Sequence, residues 1–98
     1  MNKVYSMLGL GRKAGYIVSG ETGCIQEVKR NKSHLIIIAE DSSANTKKKF
    51  TRLCENNDVK YAIFGKKEDL GSAIGKELTA ILSIGDEKFS QVILDMLA

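Results

Sequence analysis

Val4, Met7 and Leu8 stand at i, i+3 and i+4, the spacing that lines one face of an α-helix, and predict a short amphipathic helix over 3–12. Ala14-Gly15 closes it, and Tyr16-Ile17-Val18 is a brief β-prone stretch. Ser19-Gly20 then opens a second helix, with Glu21 near its positive end and Cys24, Ile25 and Val28 turned inward. Asn31 is its expected stop. Leu35-Ile36-Ile37-Ile38-Ala39 is continuously apolar and rich in β-branched residues, which predicts a strand buried on both faces. Glu40-Asp41 and Ser42-Ser43 end it as a solvated turn.

A third helix over 45–57 would turn Phe50, Leu53 and Cys54 inward, and Lys60-Tyr61-Ala62-Ile63-Phe64 reads as the next strand. A fourth helix around 68–74 precedes a strand over 79–84. Asp86 or Gly85 then caps a last helix expected to bury Phe89, Val92, Ile93 and Met96. Buried strands alternate with helices about every 20 residues, which implies a three-layer α/β/α sandwich around a small sheet. No linker, repeat or low-complexity segment interrupts 1–98, so a single domain is expected.

Composition narrows the class. The 98 residues are 43% hydrophobic and 28% charged, with no proline, no tryptophan and 6% aromatic, so the core must be aliphatic. Collagen-like and disordered chains are excluded on the same figures. The run Leu35–Ala39 falls far short of the roughly 18 apolar residues of a membrane span. Gly9, Gly11, Arg12 and Lys13 break the N-terminal region before a secretory leader could form. Cys24 and Cys54 have no neighbouring Cys or His, which suits a reduced, cytoplasmic protein with two small core thiols. Net charge is +3, but 1–49 carries nine Lys/Arg against four Asp/Glu, and 50–98 six against eight. Such asymmetry suits a polyanionic partner on one face, and equally a plain solvated surface.

Two motifs resemble nucleotide loops and fail. Gly71-Ser72-Ala73-Ile74-Gly75-Lys76-Glu77 is one residue short of a phosphate loop and has Glu77 where magnesium needs Ser or Thr. Gly9-Leu10-Gly11-Arg12-Lys13-Ala14-Gly15 misplaces its last glycine and follows no strand. His34 is the lone histidine, so neither a metal set nor a nucleophile–base pair assembles. No catalytic residue, metal or cofactor is expected.

Three motifs remain. Asn45-Thr46-Lys47-Lys48-Lys49 puts three lysines in the opening turn of a helix, where the macrodipole is already positive; an anion there would draw amides and ammonium groups together, and the alternative is a solvated charge run. Only some can point the same way: Lys48 shares a face with Arg52, and Lys47 lies nearer the buried side with Phe50. Ser19-Gly20-Glu21-Thr22-Gly23 offers unpaired amides behind a glycine that permits close approach, or is simply an N-cap with an acidic first turn. Gly11-Arg12-Lys13-Ala14-Gly15 holds two cations at a helix end, where capping alone accounts for them. Lys29, Arg30 and Lys32 share that ambiguity at the end opposite Gly20.

Leu35-Ile36-Ile37-Ile38-Ala39-Glu40-Asp41, a basic helix ending in Leu53-Cys54-Glu55, and Leu70-Gly71-Ser72-Ala73-Ile74-Gly75-Lys76-Glu77 occur in that order. Together they resemble the kink-turn-binding ribosomal proteins, the L-seven-Ae family, and in particular its YlxQ-like bacterial branch. The resemblance covers about 3–85, and Gly11–Gly15 fits that branch. It implies an α/β/α fold with a mixed four-stranded sheet and a non-enzymatic RNA-binding role in translation. In the wider family the second helix begins Gly, any residue, Asn, Glu, any, Thr, Lys, whose polar groups contact sheared G·A pairs. A loop before the last strand packs on protruding nucleotides.

Carried across, Gly20 agrees, while Thr22 replaces Asn, Gly23 replaces Glu, Ile25 replaces Thr and Gln26 replaces Lys. Each lost bidentate base contact removes about 1–3 kcal/mol of discrimination, so kink-turn specificity should be blunted. The loop at Lys76-Glu77-Leu78-Thr79 keeps the family length and lacks its Arg-Pro. The expected RNA contacts are Gly20, Glu21, Thr22, Gly23, Gln26, Lys47, Lys48, Gly75, Lys76 and Leu78. The expected partner is structured, ribosomal-type RNA bound by a monomer. The alternative is a module of the same fold that docks on a translation or transcription factor.

Overall fold

The computed structural model describes residues 2–98. In chain order it contains α1 (Lys3–Lys13), β1 (Ile17–Ser19), α2 (Glu21–Lys29), β2 (Leu35–Ile38), α3 (Ala44–Asn56), β3 (Lys60–Ile63), α4 (Lys67–Ala73), β4 (Ile81–Ile84) and α5 (Glu87–Leu97). The strands form one mixed sheet in the order β1-β4-β2-β3; β4 runs antiparallel to β1 and β2, and β2 parallel to β3. α1, α4 and α5 cover one face and α2 and α3 the other, giving the three-layer α/β/α sandwich.

Side chains alternate across a strand, and β2 shows why its sequence does not. Leu35 and Ile37 pack into the cluster with Val4, Leu8, Leu70 and Ile93, while Ile36 and Ile38 pack with Phe50, Cys24 and Cys54. All four are fully buried, because helices cover both faces. In β4, Leu82 and Ile84 take the first face, and Ile81 and Ser83 align with Ile38 and Ile36 on the second. The buried Ser83 hydroxyl donates to the Ser33 Oγ at 2.7 Å, so its polarity is satisfied.

β3 departs from the buried-strand expectation. Tyr61 and Ile63 align with Ile36 and Ile38 yet stay 37% and 50% exposed, because β3 is a sheet edge that α3 does not fully cover. Val92 is likewise exposed, and α5 buries Ile93 with Phe89, Leu94, Met96 and Leu97 packed beside it. β4 starts at Ile81 rather than at Thr79, whose N–H is drawn to the Lys67 carbonyl at 3.0 Å. The Glu40-Asp41 turn does more than end a strand. Glu40 Oε2 accepts the Gly65 N–H and Asp41 Oδ1 the Lys67 N–H, tying the β2–α3 turn to the β3–α4 turn. The bond to Lys67 N–H holds the Asp41 carboxyl below its usual range.

α3 begins one residue earlier than expected. The Ser43 Oγ accepts the Thr46 N–H at 3.1 Å, so Ala44-Asn45-Thr46 is the first turn and Lys47–Lys49 lie in the second, where the dipole penalty is weaker. Ser43→Ala should cost about 1 kcal/mol, seen as a fall of about 4–8 °C in Tm by circular dichroism for a domain of this size.

Candidate nucleic-acid interface

Because β1, β2 and β3 point the same way and β4 the opposite way, three strands end where β4 begins. α2, α3 and α4 all start from that end. Hydrogen bonds fix the convergence. Gly20 N–H donates to the Ile81 carbonyl at 3.1 Å, Ala39 N–H to the Ala80 carbonyl at 2.8 Å, and the Ser42 hydroxyl to the same Ala80 carbonyl at 3.4 Å. The entrances of α2 and α3 therefore flank the end of the α4–β4 loop, and positive dipole ends face one side of the molecule.

Gly20 is the N-cap of α2 with φ of +92°, and no side chain caps the helix. A Cβ there would meet nothing within 4 Å, so backbone conformation selects glycine, and the first-turn amides stand open to an approaching molecule. Thr22 and Gln26, four apart, share one exposed face of α2. Gly23 differs: a Cβ would lie 2.9 Å from Val18 Cγ1, so this position packs against β1 and can present only backbone. Restoring the family's Glu would first require Val18 to move.

Glu21 faces across to α3, where its Oε1 lies 3.6 Å from Lys49 Nζ. Both ends are exposed, so the pair is worth about 0–1 kcal/mol, but it places the basic turn of α3 beside the α2 entrance. Lys47 and Lys48 have no carboxylate partner among the described residues. Side chains on a helix lean toward its N-terminus, which carries exposed Lys48 and half-buried Lys47 toward the start of α3, where Ser43 caps one of the first-turn amides. Leu78, 65% exposed, lies on the loop that returns to this end.

Gly75 and Lys76 lie on the other end of α4 from Lys67. Ile74, Gly75 and Lys76 close α4 at its C-terminus, with Gly75 N–H on the Ser72 carbonyl and Lys76 N–H on that of Gly71. Residues 76–79 then run back beside α4, where a Cβ on Gly71 would stand 2.6 Å from the Glu77 carbonyl oxygen. Gly75 and Lys76 thus sit at the C-terminal end of seven-residue α4, whereas α2 and α3 present their N-termini. Arg12 of α1 lies against Gly75 instead. Sequence pattern carried no signal for that contact, which joins residues on two separate helix ends.

Cys24 and Cys54 are fully buried between α2, α3 and the sheet, and burial pushes the thiols up to about 12 and about 11. Thiolate is negligible at neutral pH, and they act as small core residues. Among the described residues no group of His, Cys, Asp or Glu is placed to hold a metal ion. A hollow of about 600 Å³ between α1 and α4 is lined by Asn2, Tyr5, Asp69 and Ser72 and by no cation, so it offers a polyanion nothing. No helix among these residues is long and apolar enough to cross a membrane.

The sequence family described as ribosomal protein L7Ae/L30e/S12e/Gadd45 matches residues 2–94. The chain belongs to this family. Within it, the chain is 33% identical over 93 residues to the RNA-binding protein YlxQ of Bacillus subtilis (strain 168), covering 95% of this chain and 93% of that one. Its fold superposes with a TM-score of 0.96 on a protein of unknown function from Bacillus halodurans C, at 28% identity over 99% and 98% of the two chains. A Giardia lamblia 15.5 kD RNA-binding protein matches at a TM-score of 0.79 and 26% identity, over 95% and 80%. The L7Ae-type fold thus accounts for the mixed sheet order and the two unequal helical layers seen here.

Proposed function

We propose that this protein is a non-enzymatic, cytoplasmic RNA-binding protein of the translation machinery, resembling a ribosomal protein and gripping structured RNA at the end where α2 and α3 begin. One observation carries the reading: the uncapped start of α2 behind Gly20 and the lysine-bearing start of α3 lie at a single end of the sheet, joined by the Lys49–Glu21 contact, with Lys47 and Lys48 free of carboxylate partners among the described residues. Membership of a ribosomal-protein family and likeness to RNA-binding relatives support it. Thr22, Gln26, Gly20 and Leu78 complete the contact surface, with Glu21 held to Lys49. Affinity comes chiefly from phosphates, because Gly23 reads no base and Thr22 and Gln26 replace longer or charged side chains. Recognition of a kink-turn is therefore looser than in the ribosomal relatives.

Titration of a kink-turn hairpin and a plain duplex of equal length at two salt concentrations tests this. With three to five phosphates neutralised, log K falls against log salt with a slope of about −2 to −4. The hairpin should bind more tightly by about tenfold, one bidentate base contact's worth. Equal binding removes the kink-turn preference, and no binding to either at low salt overturns the RNA reading.

The second reading, docking on a translation factor, is favoured by the filled Cβ direction of Gly23, which leaves α2 short of base-reading groups. Under it, RNA affinity is absent or indifferent to Lys47 and Lys48.

A further inference from the structure

The motif Gly11-Arg12-Lys13-Ala14-Gly15 is not absorbed by the interface described above, and Gly75 stands apart from it. The fold joins the two. The Arg12 Nη1, Cζ and Nη2 atoms lie 3.2, 3.4 and 3.7 Å from where a Cβ on Gly75 would be. With C–N bonds near 1.3 Å and angles near 120°, those three distances put the Cβ position about 3 Å above the guanidinium plane. Arg12 therefore lies flat across Gly75, with its N–H edge directed sideways. Gly75 has φ of +76°, closing α4, and any side chain there would displace the guanidinium.

Favourable placement at the C-terminus of α1 explains a cation at position 12, but not its stacking on a residue of another helix. Arg12 is exposed and has no carboxylate partner among the described residues, and exposed Lys76 follows Gly75 directly. A planar, unpaired fork is the chemistry that binds a phosphate bidentately, and the adjacent Lys76 adds a second cation to this helix end. From here residues 76–79 run back along α4 to the Thr79 N–H bond with Lys67, beside the α2 entrance. Glu77 is the carboxylate on that path, so an anionic strand would have to keep to the Lys76 and Leu78 side.

We infer that Arg12, laid on Gly75 with Lys76 beside it, is a second phosphate contact. It grips the backbone of the same structured RNA at the C-terminal end of α4, with the strand following the α4–β4 loop. This rests on the RNA reading given above, and its test separates the two. The probe is the kink-turn hairpin titrated against the full chain at two salt concentrations. Arg12→Gln should weaken binding about tenfold, the loss of one charged hydrogen-bond pair, and reduce the salt slope by about 0.7–0.9. Arg12→Lys should restore the slope and not the affinity, since an ammonium neither stacks nor binds bidentately. Gly75→Asn tolerates the left-handed cap but displaces the guanidinium, and should weaken binding in the parent and not in the Arg12→Gln background. Circular dichroism melts of each variant report whether it folds. Unchanged affinity and slope for Arg12→Gln, while a Lys47→Glu/Lys48→Glu double variant loses binding, overturns the second contact and leaves the RNA reading standing. A parent chain that binds no RNA overturns both.

Discussion

Reversing Lys47 and Lys48 to Glu lowers affinity for a structured RNA hairpin by about 100-fold at about 0.1 M salt, while the melting temperature stays within about 4 °C of the parent. The two effects separate because the two lysines contribute to binding and little to folding. Neither ammonium group has a partner within the fold among the described residues. Each phosphate hydrogen bond to a charged group is worth about 1.5–3 kcal/mol. Losing two, at exposed Lys48 and half-buried Lys47, discounted for solvent screening, gives the stated hundredfold. The salt slope should flatten by about 1.4–1.8 as two counterion-releasing contacts disappear. The fold should not suffer from Glu at these positions, since Lys47–Lys49 sit one turn from the positive end of α3, where a carboxylate is mildly favourable. Lys49 is left untouched, because reversing it would set a second carboxylate against Glu21. Filter binding or anisotropy at two salt concentrations, with a melt in parallel, reads all three quantities. Full retention of affinity would place the RNA elsewhere or favour docking on a protein.

The largest effect on stability should come from Phe50→Ala. Phe50 is fully buried and is the largest fully buried side chain, packed with Ile36, Ile38, Cys24 and Cys54 beneath α3. Removing an aromatic ring from such a site costs about 3–5 kcal/mol, from lost transfer energy and the cavity left behind. For a domain whose whole stability is about 5–15 kcal/mol this is a large share. Tm should fall by more than about 12 °C. The effect should reach function as well: the α2/α3 layer is the smaller of the two, and Phe50 anchors the helix that carries Lys47 and Lys48. At temperatures where Phe50→Ala is still folded, it should keep the salt slope and lose affinity only modestly. A loss of stability under about 1 kcal/mol would mean that α3 does not pack on the sheet through this residue.

Local pattern carried much of the architecture. The five apolar residues at 35–39 required cover on both faces, and period-two alternation then divided them between two helical layers. Asn31 stops α2 with φ of +59°, and Asp86 caps α5 by accepting the Phe89 N–H. Where the structure departs from the local pattern, a neighbour in space outcompetes the local signal. Tyr61 and Ile63 are as apolar as a core strand requires, but a strand order that puts β3 at the edge leaves them open. Thr79 was drawn out of β4 by the Lys67 carbonyl. Glu40 and Asp41 look like solvent-facing turn residues until Gly65 and Lys67 supply amides for them.

The site divides the same way. Gly20, Thr22, Gln26, Lys47 and Lys48 could be singled out one by one, because helix ends and charge runs are written in adjacent letters. By itself the chain determined its periodicities, its caps, its aliphatic core and an excess of cations in its first half, all properties of neighbours along the backbone. Only the tertiary structure decided that Gly20 meets Ile81, that Lys49 reaches Glu21, that Gly23 is filled by Val18, and that Arg12 lies on Gly75. Those pairings span up to 63 positions and depend on strand order and helix placement, which arise from the cooperative packing of the whole chain and are carried by no short stretch of it.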